Sequence, residues 1–394
     1  MKILNYTFTS STSLLSFISE NNIPNSRKTF IQVFFSKLKE EETLKEVLSL
    51  LNTKLSKTTI IGTSTAGNIM DGAIHETKIT ISFSLFKKTI TKNLTFVNND
   101  SLSIVNSLKK DLITSSSKAL IIFANPFKVN ISSLLLEISK KFPKLIVSGG
   151  YSADDYIFEK GFVFSNNFES VDIVITSLDS NSLIINTNYL LNYTTIGKSM
   201  KVTKSKENTI YELDNMPILE VYKKTFLKDS STFIDTSGME FPLIFQDNNC
   251  SVARAAIHIN EDLSVVFSGN IKNGTEVKFS FFDEDNLNKN KFSIESENFD
   301  GIYVYSCAGR KKYLGRNIEE EFKQLDKLST TSGFITYGEF YHDQKLCNNY
   351  LFNATTTYIT ILEPTIIMKY FLFLKDLSFH LLNRIIHKKE TENE

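Results

Sequence analysis

Hydrophobic and polar residues alternate along this chain in a pattern that predicts strands and helices in turn. Three β-branched and aromatic runs have the composition of buried strands, at 29–35, 119–123 and 302–305. Each run precedes a segment whose apolar residues recur at helical spacing, at 40–55, 132–141 and 318–328. Each helical segment leads into a second short strand with small residues, which permit a tight turn. The chain therefore alternates strand, helix and strand.

The same arrangement occurs three times at nearly constant spacing. The intervals are 31 residues from Ile31 to Gly62, 28 from Ile121 to Gly149 and 30 from Tyr303 to Gly333. Such spacing predicts repeated strand–helix–strand–strand units, although strand–helix alternation is also common in α/β proteins without repeats. The strands that follow the units, at 78–86 and 355–362, alternate with period two. We expect an α+β (mixed α/β) fold of stacked mixed or antiparallel sheets with helices outside.

The remaining segments predict a second domain and a terminal helix. A hairpin at 196–213, a helix at 217–226 and further strands lie between the second and third units. After Pro364, residues 365–394 have the apolar stripe of one helix that ends in a polar tail. We expect domains at 1–205 and 206–364, followed by this helix outside the repeated core.

Composition and charge exclude several classes of protein. The chain has 394 residues, a hydrophobic fraction of 41% and a net charge of zero, as expected for a soluble globular protein without a field that attracts nucleic acid. Three cysteines without a CxxC pattern argue against a disulfide framework or zinc ribbon and favour a reducing cytoplasm. Since no long uncharged apolar run occurs, we expect no membrane span.

Most of the candidate chemistry lies between residues 301 and 340. Cys307 and Arg310 directly follow a predicted strand, and Tyr337, Gly338 and Glu339 end the next one. A guanidinium can bind a ligand carboxyl group while a carboxylate accepts its ammonium, which together would select a zwitterion such as an amino acid. The alternative is that Arg310 and Glu339 pair with each other and only stabilise the fold.

Other polar residues are predicted to complete the same cleft. Gly149 and Gly150 form the second small-residue turn, and Asp154 and Asp155 follow it, either facing a ligand or capping the turn. Arg254 either reaches the cleft or pairs with a surface acid. Asn353 binds either the ligand or a neighbouring turn. We expect the turns of all three units to lie close together.

Cys307 also suggests an enzymatic alternative. A cation at Arg310 would favour the thiolate, and His342 or Glu339 is the candidate base. The alternative is a small buried residue without reactivity. The five histidines lack metal-binding spacing and no nucleotide motif is complete, so no metal or cofactor is predicted.

Several stretches together resemble the FIST sensory domain, with its N-terminal and C-terminal parts. They are GTSTAGNI (62–69), FPKLIVSGGYSADD (142–155), IGKSMKVTKSKENTIYELDNMPILEVY (196–222), FPLIF…VAR (241–254), YSCAGR (305–310), GFITYGE (333–339) and FNATTTYITIL (352–362). The resemblance covers about residues 28–363. It implies a bacterial, cytoplasmic input domain that senses small molecules such as amino acids, with its FIST N-terminal part at 1–205 and its C-terminal part at 206–364.

Family members of this kind commonly precede an output module. Nothing after Pro364 is long enough for one, so we expect a non-enzymatic sensor that signals through a protein partner in trans or through self-association. The alternatives are a cysteine-dependent hydrolase or transferase that uses Cys307, and an interaction scaffold that forms a homodimer through its last helix.

Overall fold

A computed structural model describes residues 1–36, 41–76, 78–226, 238, 240–247, 250–283 and 299–364. Within these ranges the strands form four β-sheets of five, six, six and eight strands. The predicted terminal helix at 365–394 lies outside the described residues. No helix in these ranges is long and apolar enough to cross a lipid bilayer.

The helices and strands have the following bounds. The first part contains β1 (Lys2–Thr7), α1 (Ser11–Glu20), β2 (Thr29–Phe35), α2 (Glu41–Lys54), β3 (Thr59–Ser64), β4 (Asn68–Met70), β5 (Ala73–His75), β6 (Thr80–Leu85), β7 (Ile90–Phe96), α3 (Ser101–Ser107), β8 (Ser117–Ala124), α4 (Ile131–Lys141), β9 (Ile146–Tyr151), β10 (Val163–Phe164), β11 (Ile173–Asp179) and β12 (Ile184–Leu190). The middle part contains β13 (Tyr193–Lys206), β14 (Thr209–Leu213), β15 (Met216–Pro217), α5 (Ile218–Phe226), β16 (Leu243–Asp247), β17 (Cys250–Arg254), β18 (Ala256–Ile259), β19 (Val265–Phe267) and β20 (Glu276–Phe282). The last part contains β21 (Gly301–Cys307), α6 (Ala308–Leu314), α7 (Glu319–Asp326), β22 (Thr331–Thr336), β23 (Glu339–Asp343), β24 (Asn348–Phe352) and β25 (Thr356–Leu362).

The three predicted units have the same pairing in the structure. Each unit contains two parallel strands that are connected by helical structure. The pairs are β2 with β3, β8 with β9, and β21 with β22. On its other side, the first strand of each pair has an antiparallel neighbour, β6, β11 or β25. The predicted repetition and the mixed sheets of an α+β fold are therefore confirmed.

A glycine occupies the same place in each unit. Gly62, Gly149 and Gly333 lie opposite Val33, Ile122 and Val304 in the register of the parallel strands. A Cβ atom at Gly149 or Gly333 would lie 1.9 or 1.7 Å from the carbonyl oxygen of the facing residue, and one at Gly62 would lie 2.0 Å from the Phe164 ring. Glycine is favoured at these three positions, because a neighbouring backbone or ring approaches each one closely. This explains the regular spacing of the glycines in the sequence.

Each unit then sends its next segment into the sheet of another unit. The hairpin β4–β5 pairs with β22, β10 pairs with β3, and β23 pairs with β9. The exchange is cyclic, because the first unit reaches the third, the second reaches the first and the third reaches the second. It carries the turn after each second strand to a junction shared by all three units.

The three sheets enclose one hydrophobic core. Phe34, Phe123 and Phe334 come from different units, and their ring centroids lie 5.9, 5.3 and 5.1 Å apart pairwise. The opposite faces of the same sheets pack against helices, for example Ile31 with Leu44 of α2. The predicted outer position of the helices is confirmed.

The helical connection between β21 and β22 in the third unit differs from its prediction. A helix was expected at 318–328, but helical structure begins at Ala308 directly after β21 and is divided into α6 and α7. Gly315 separates them with a φ of +56°, which disfavours other residues. Arg310 therefore lies within a helix rather than in a turn.

The eight-stranded sheet holds a separate core. Its strands follow the order β17, β16, β20, β13, β14, β19 and β18, with β15 beside β14. Tyr222 of α5 is fully buried against this sheet beside Phe279. The predicted hairpin at 196–213 corresponds to the pairing of β13 with β14.

We expect the substitution Phe123→Ala to lower the free energy of unfolding by about 3–5 kcal/mol, because it removes a fully buried ring from the contact of three sheets. Phe127→Ala is the matched control, since Phe127 is 45% exposed and its loss should cost less than about 0.5 kcal/mol. Equilibrium denaturation by urea measures both changes. Equal costs would contradict the shared core.

Candidate functional site

The segments that follow the second strands of the three units meet, although Gly149 and Gly150 lie within β9 rather than in the predicted turn. The Ala153 N–H donates to the Ser64 carbonyl, and the Ala66 N–H donates to the Ile335 carbonyl, both at 3.0 Å. The Tyr151 N–H donates to the Gly338 carbonyl at 3.0 Å. Because the segments from different units share hydrogen bonds, residues far apart in sequence are brought to one place.

Asp154 organises the loop that follows the second turn. Its carboxylate accepts hydrogen bonds from the backbone N–H groups of Phe158, Glu159 and Lys160 at 2.8–2.9 Å and from the Tyr337 hydroxyl at 2.5 Å. Burial alone would raise the pKa of Asp154, but these donors lower it below its usual value. Asp155 is exposed, so only the first member of the predicted acidic pair holds the loop.

The loop covers the Tyr337 side chain. Asp155, Tyr156 and Phe158 have positive φ angles of 55°, 70° and 59°, which bend the chain tightly. The Phe158 ring stacks on the Tyr337 ring at a centroid distance of 4.5 Å, although Phe158 is itself 46% exposed. The segment thus lies between solvent and the end of β22.

Arg310 has a different partner from the one that was expected. Its guanidinium is fully buried and donates to the Glu321 carboxylate and, at 3.0 Å, to the Leu190 carbonyl. Glu321 also accepts hydrogen bonds from Asn192 and Thr356. The suggested direct pair between Arg310 and Glu339 is therefore wrong, because α6 directs Arg310 toward α7.

Cys307 is a buried thiol rather than an activated one. It ends β21, and burial raises its pKa to about 12, with the neighbouring Glu339 carboxyl adding to the effect. The expectation that Arg310 favours a thiolate is wrong, since that guanidinium is paired with Glu321. His342 lies on the opposite face of β23 from Glu339 and contacts Asn349 at 2.8 Å. Of the two candidate bases, Glu339 rather than His342 therefore lies beside the thiol, and burial raises the pKa of both Cys307 and Glu339.

Glu339 is fully buried and incompletely hydrogen-bonded. One carboxyl oxygen accepts from the Thr355 hydroxyl at 2.5 Å, while the other has no hydrogen-bond partner among the described residues. Burial raises the pKa of Glu339 well above its usual value. Glu339 pairs with Gly150 in the sheet register, so the second and third turns adjoin it.

Arg254 adjoins the same segment, 353–355, that Glu339 contacts. Its guanidinium donates to the Ala253 carbonyl at 3.0 Å and to the Asn353 side chain and Leu351 carbonyl at 3.1 Å each. Its Nε has no hydrogen-bond partner in the described chain. Among the described residues it forms no ion pair with an acid, and burial lowers its pKa to about 10.

Asn353 connects these groups. Its side chain accepts from Arg254 and donates to the Tyr337 carbonyl at 3.3 Å. Hydrogen bonds thus link Arg254, Asn353, Tyr337 and Asp154, whereas Arg310 points toward α7 and Asp155 is exposed. Within the described residues Arg254, rather than Arg310, is the cation without an ion pair. Glu321 and Thr355 were missed, because an acid in a charged helix and a threonine in a β-branched run usually face solvent or a strand neighbour.

Two family models match consecutive parts of the chain. Residues 29–216 match the model of the FIST N domain and residues 219–342 match that of the FIST C domain. The chain belongs to the FIST family. FIST domains are generally sensory domains of signal transduction and are thought to bind small ligands. No curated protein matches the chain. The expected boundary at 205–206 within this FIST protein stays a prediction.

We expect Asp154→Asn to lower the free energy of unfolding by about 1–3 kcal/mol at pH 7, because three backbone donors and Tyr337 lose a charged acceptor. Asp155→Asn is the matched control on the neighbouring exposed residue and should change stability little. Since the folded pKa of Asp154 is lowered, the difference should persist above the unfolded value of about 3.9 and disappear as the pH falls through the folded value. Urea titrations across this range test it; a difference that grows toward acid pH would contradict it.

Thiol labelling tests the environment of Cys307. With iodoacetamide at pH 8, the half-buried Cys347 should react first, and Cys307 at least about a hundredfold more slowly, because its thiolate is scarce and buried. Cys250, whose pKa burial raises to about 12, should also be slow. Mass spectrometry of peptides gives the three rates. Preferential labelling of Cys307 would support the nucleophile alternative instead.

Proposed function

We propose that this FIST protein is a cytoplasmic sensor that binds an amino acid or a related small carboxylate and signals through a protein partner. The observation that carries the proposal is that Arg254 and Glu339 are both buried beside the same segment of the chain. Both groups adjoin segment 353–355, and each has an atom without a hydrogen-bond partner in the described residues. Buried polar atoms without partners cost about 1–3 kcal/mol each, so such groups suggest a ligand.

The charges of the two groups fit the two ends of an amino acid. The Arg254 guanidinium can donate to a carboxylate, and Glu339 can accept from an ammonium. Arg254 stays protonated at neutral pH despite burial, because its pKa remains about 10. A small carboxylate without an amino group would use Arg254 alone.

The location also supports ligand binding. Arg254 ends β17 in the eight-stranded sheet, whereas Glu339 begins β23 beside the three-unit core. Binding sites occur preferentially where domains meet. A ligand held by both groups would couple the eight-stranded sheet to the repeated core.

A chain of hydrogen bonds leads from this site to the protein surface. It runs from Arg254 through Asn353 and the Tyr337 carbonyl, and continues from the Tyr337 hydroxyl to Asp154. Asp154 holds the backbone of the exposed loop 155–160. We suggest that a ligand at Arg254 changes this loop, which then reports occupancy to the partner.

Variants at the two ends of the site test the proposal. A thermal-shift screen of amino acids, dipeptides and small carboxylates first identifies a stabilising ligand. Glu339→Gln should then weaken binding of an amino acid by about 10- to 100-fold while leaving the matching carboxylate without an amino group unchanged. Arg254→Lys should weaken both, because lysine lacks the planar fork.

Calorimetry adds a proton measurement to the same variants. Because the pKa of Glu339 is raised in the free protein, binding of an ammonium should ionise it and release up to one proton. Affinity for the amino acid should therefore rise with pH, and the carboxylate should release none. Failure of every compound to stabilise the protein, or equal loss of both ligands in Glu339→Gln, would contradict the proposal.

A further inference from the structure

A pocket at the eight-stranded sheet is lined by residues from both the FIST N match and the FIST C match. It has a volume of about 380 Å³, within the range of small-molecule pockets, and lies between α5 and the eight-stranded sheet. This pocket and the Arg254–Glu339 site share no residue. The lining consists of Ile196, Gly197, Lys198, Met200, Leu213, Asp214, Met216, Val221, Lys224, Thr225 and Phe279.

An irregularity in β13 shapes this pocket. Ile196 pairs with Phe279 and Met200 pairs with Val277, so residues 197–199 face only one residue of β20. Gly197 has a φ of +73°, and a Cβ atom there would meet no atom within 4 Å. The bulge therefore bends β13 and leaves space instead of a filled core.

The interior of the pocket is apolar. Met200, Leu213, Val221 and Phe279 belong to the hydrophobic core of this sheet, with Ile196 and Met216 packed beside them. The pocket is thus an opening into the core, and an apolar chain placed there would remove more apolar surface from water.

The polar residues of the pocket carry a net positive charge. Lys198 and Asp214 pair with each other at 3.0 Å. Lys224 is exposed and forms no ion pair within the part of the chain that the structure describes. One uncompensated cation beside an apolar interior suits a monoanion with an apolar body.

We propose that this pocket binds an aliphatic monocarboxylate, with its chain against Met200, Leu213 and Phe279 and its carboxylate beside Lys224. This site is independent of the amino-acid site, because the ligand contacts neither Arg254 nor Glu339. The protein would accordingly respond to two chemically different molecules.

A chain-length series tests the apolar part of the inference. Isothermal calorimetry with the full chain and saturated carboxylates of six to twelve carbons should show saturable binding. Affinity should rise about fourfold for each methylene until the pocket is filled. An affinity that does not depend on chain length, or the absence of saturable binding, would overturn the proposal.

Variants locate the binding. Thr225→Trp places a large ring at an exposed position of the pocket and should abolish binding of decanoate. Lys224→Gln should weaken decanoate about three- to tenfold at low salt and leave decanol unchanged. Lys223→Gln is the matched control, since Lys223 pairs with Glu220 and does not line the pocket.

Two readouts separate binding from folding. Far-ultraviolet circular dichroism and amino-acid binding at Arg254–Glu339 should be unchanged in Thr225→Trp and Lys224→Gln. Undiminished decanoate binding in a folded Thr225→Trp variant, or equal effects of Lys224→Gln and Lys223→Gln, would overturn the assignment to this pocket. A protein that binds decanoate but no amino acid would contradict the proposed function at Arg254 and Glu339 and leave the decanoate site supported.

Discussion

The fold depends on the contact of Phe34, Phe123 and Phe334, where three sheets share one core. Each sheet has one face on this core and the other on helices, so its central strands are buried on both sides. Double burial explains why these strands are continuous apolar runs. Because every unit also contributes a segment to a neighbouring sheet, the units cannot separate without breaking backbone hydrogen bonds.

This constraint places the polar site. The exchanged segments hold the three turns together, and β23 brings Glu339 beside Gly150. The eight-stranded sheet adds Arg254, which like Glu339 lies within the FIST C match. Arg254 and Glu339 are buried ionisable groups that form no ion pair within the described ranges, and burial of such groups opposes folding. Hydrogen bonds link Arg254 to the surface loop held by Asp154. We therefore propose a binding role for this combination rather than a stabilising one.

Features that depend on contacts within one unit could be predicted from the sequence. The glycine spacing predicted the three units, because each glycine meets the facing strand or a ring of its own sheet. The clustering of Tyr337, Asp154, Asn353 and Glu339 could also be predicted from turns at equivalent places. The exchange of segments could not, since short strands such as β10 carry no signal for their partner. The sequence also did not predict the partner of Arg310, because Glu321 and Glu339 are both acidic. The position at which α6 begins directs the Arg310 side chain toward Glu321.

The central claim is that Arg254 and Glu339 bind the two ends of one amino acid. A crystal structure with the amino acid that stabilises the protein most tests it directly. We predict the ligand carboxylate at Arg254, its ammonium at the free oxygen of Glu339, and a changed loop at 155–160. Ligand density elsewhere, with both side chains and the loop unchanged, would contradict the account.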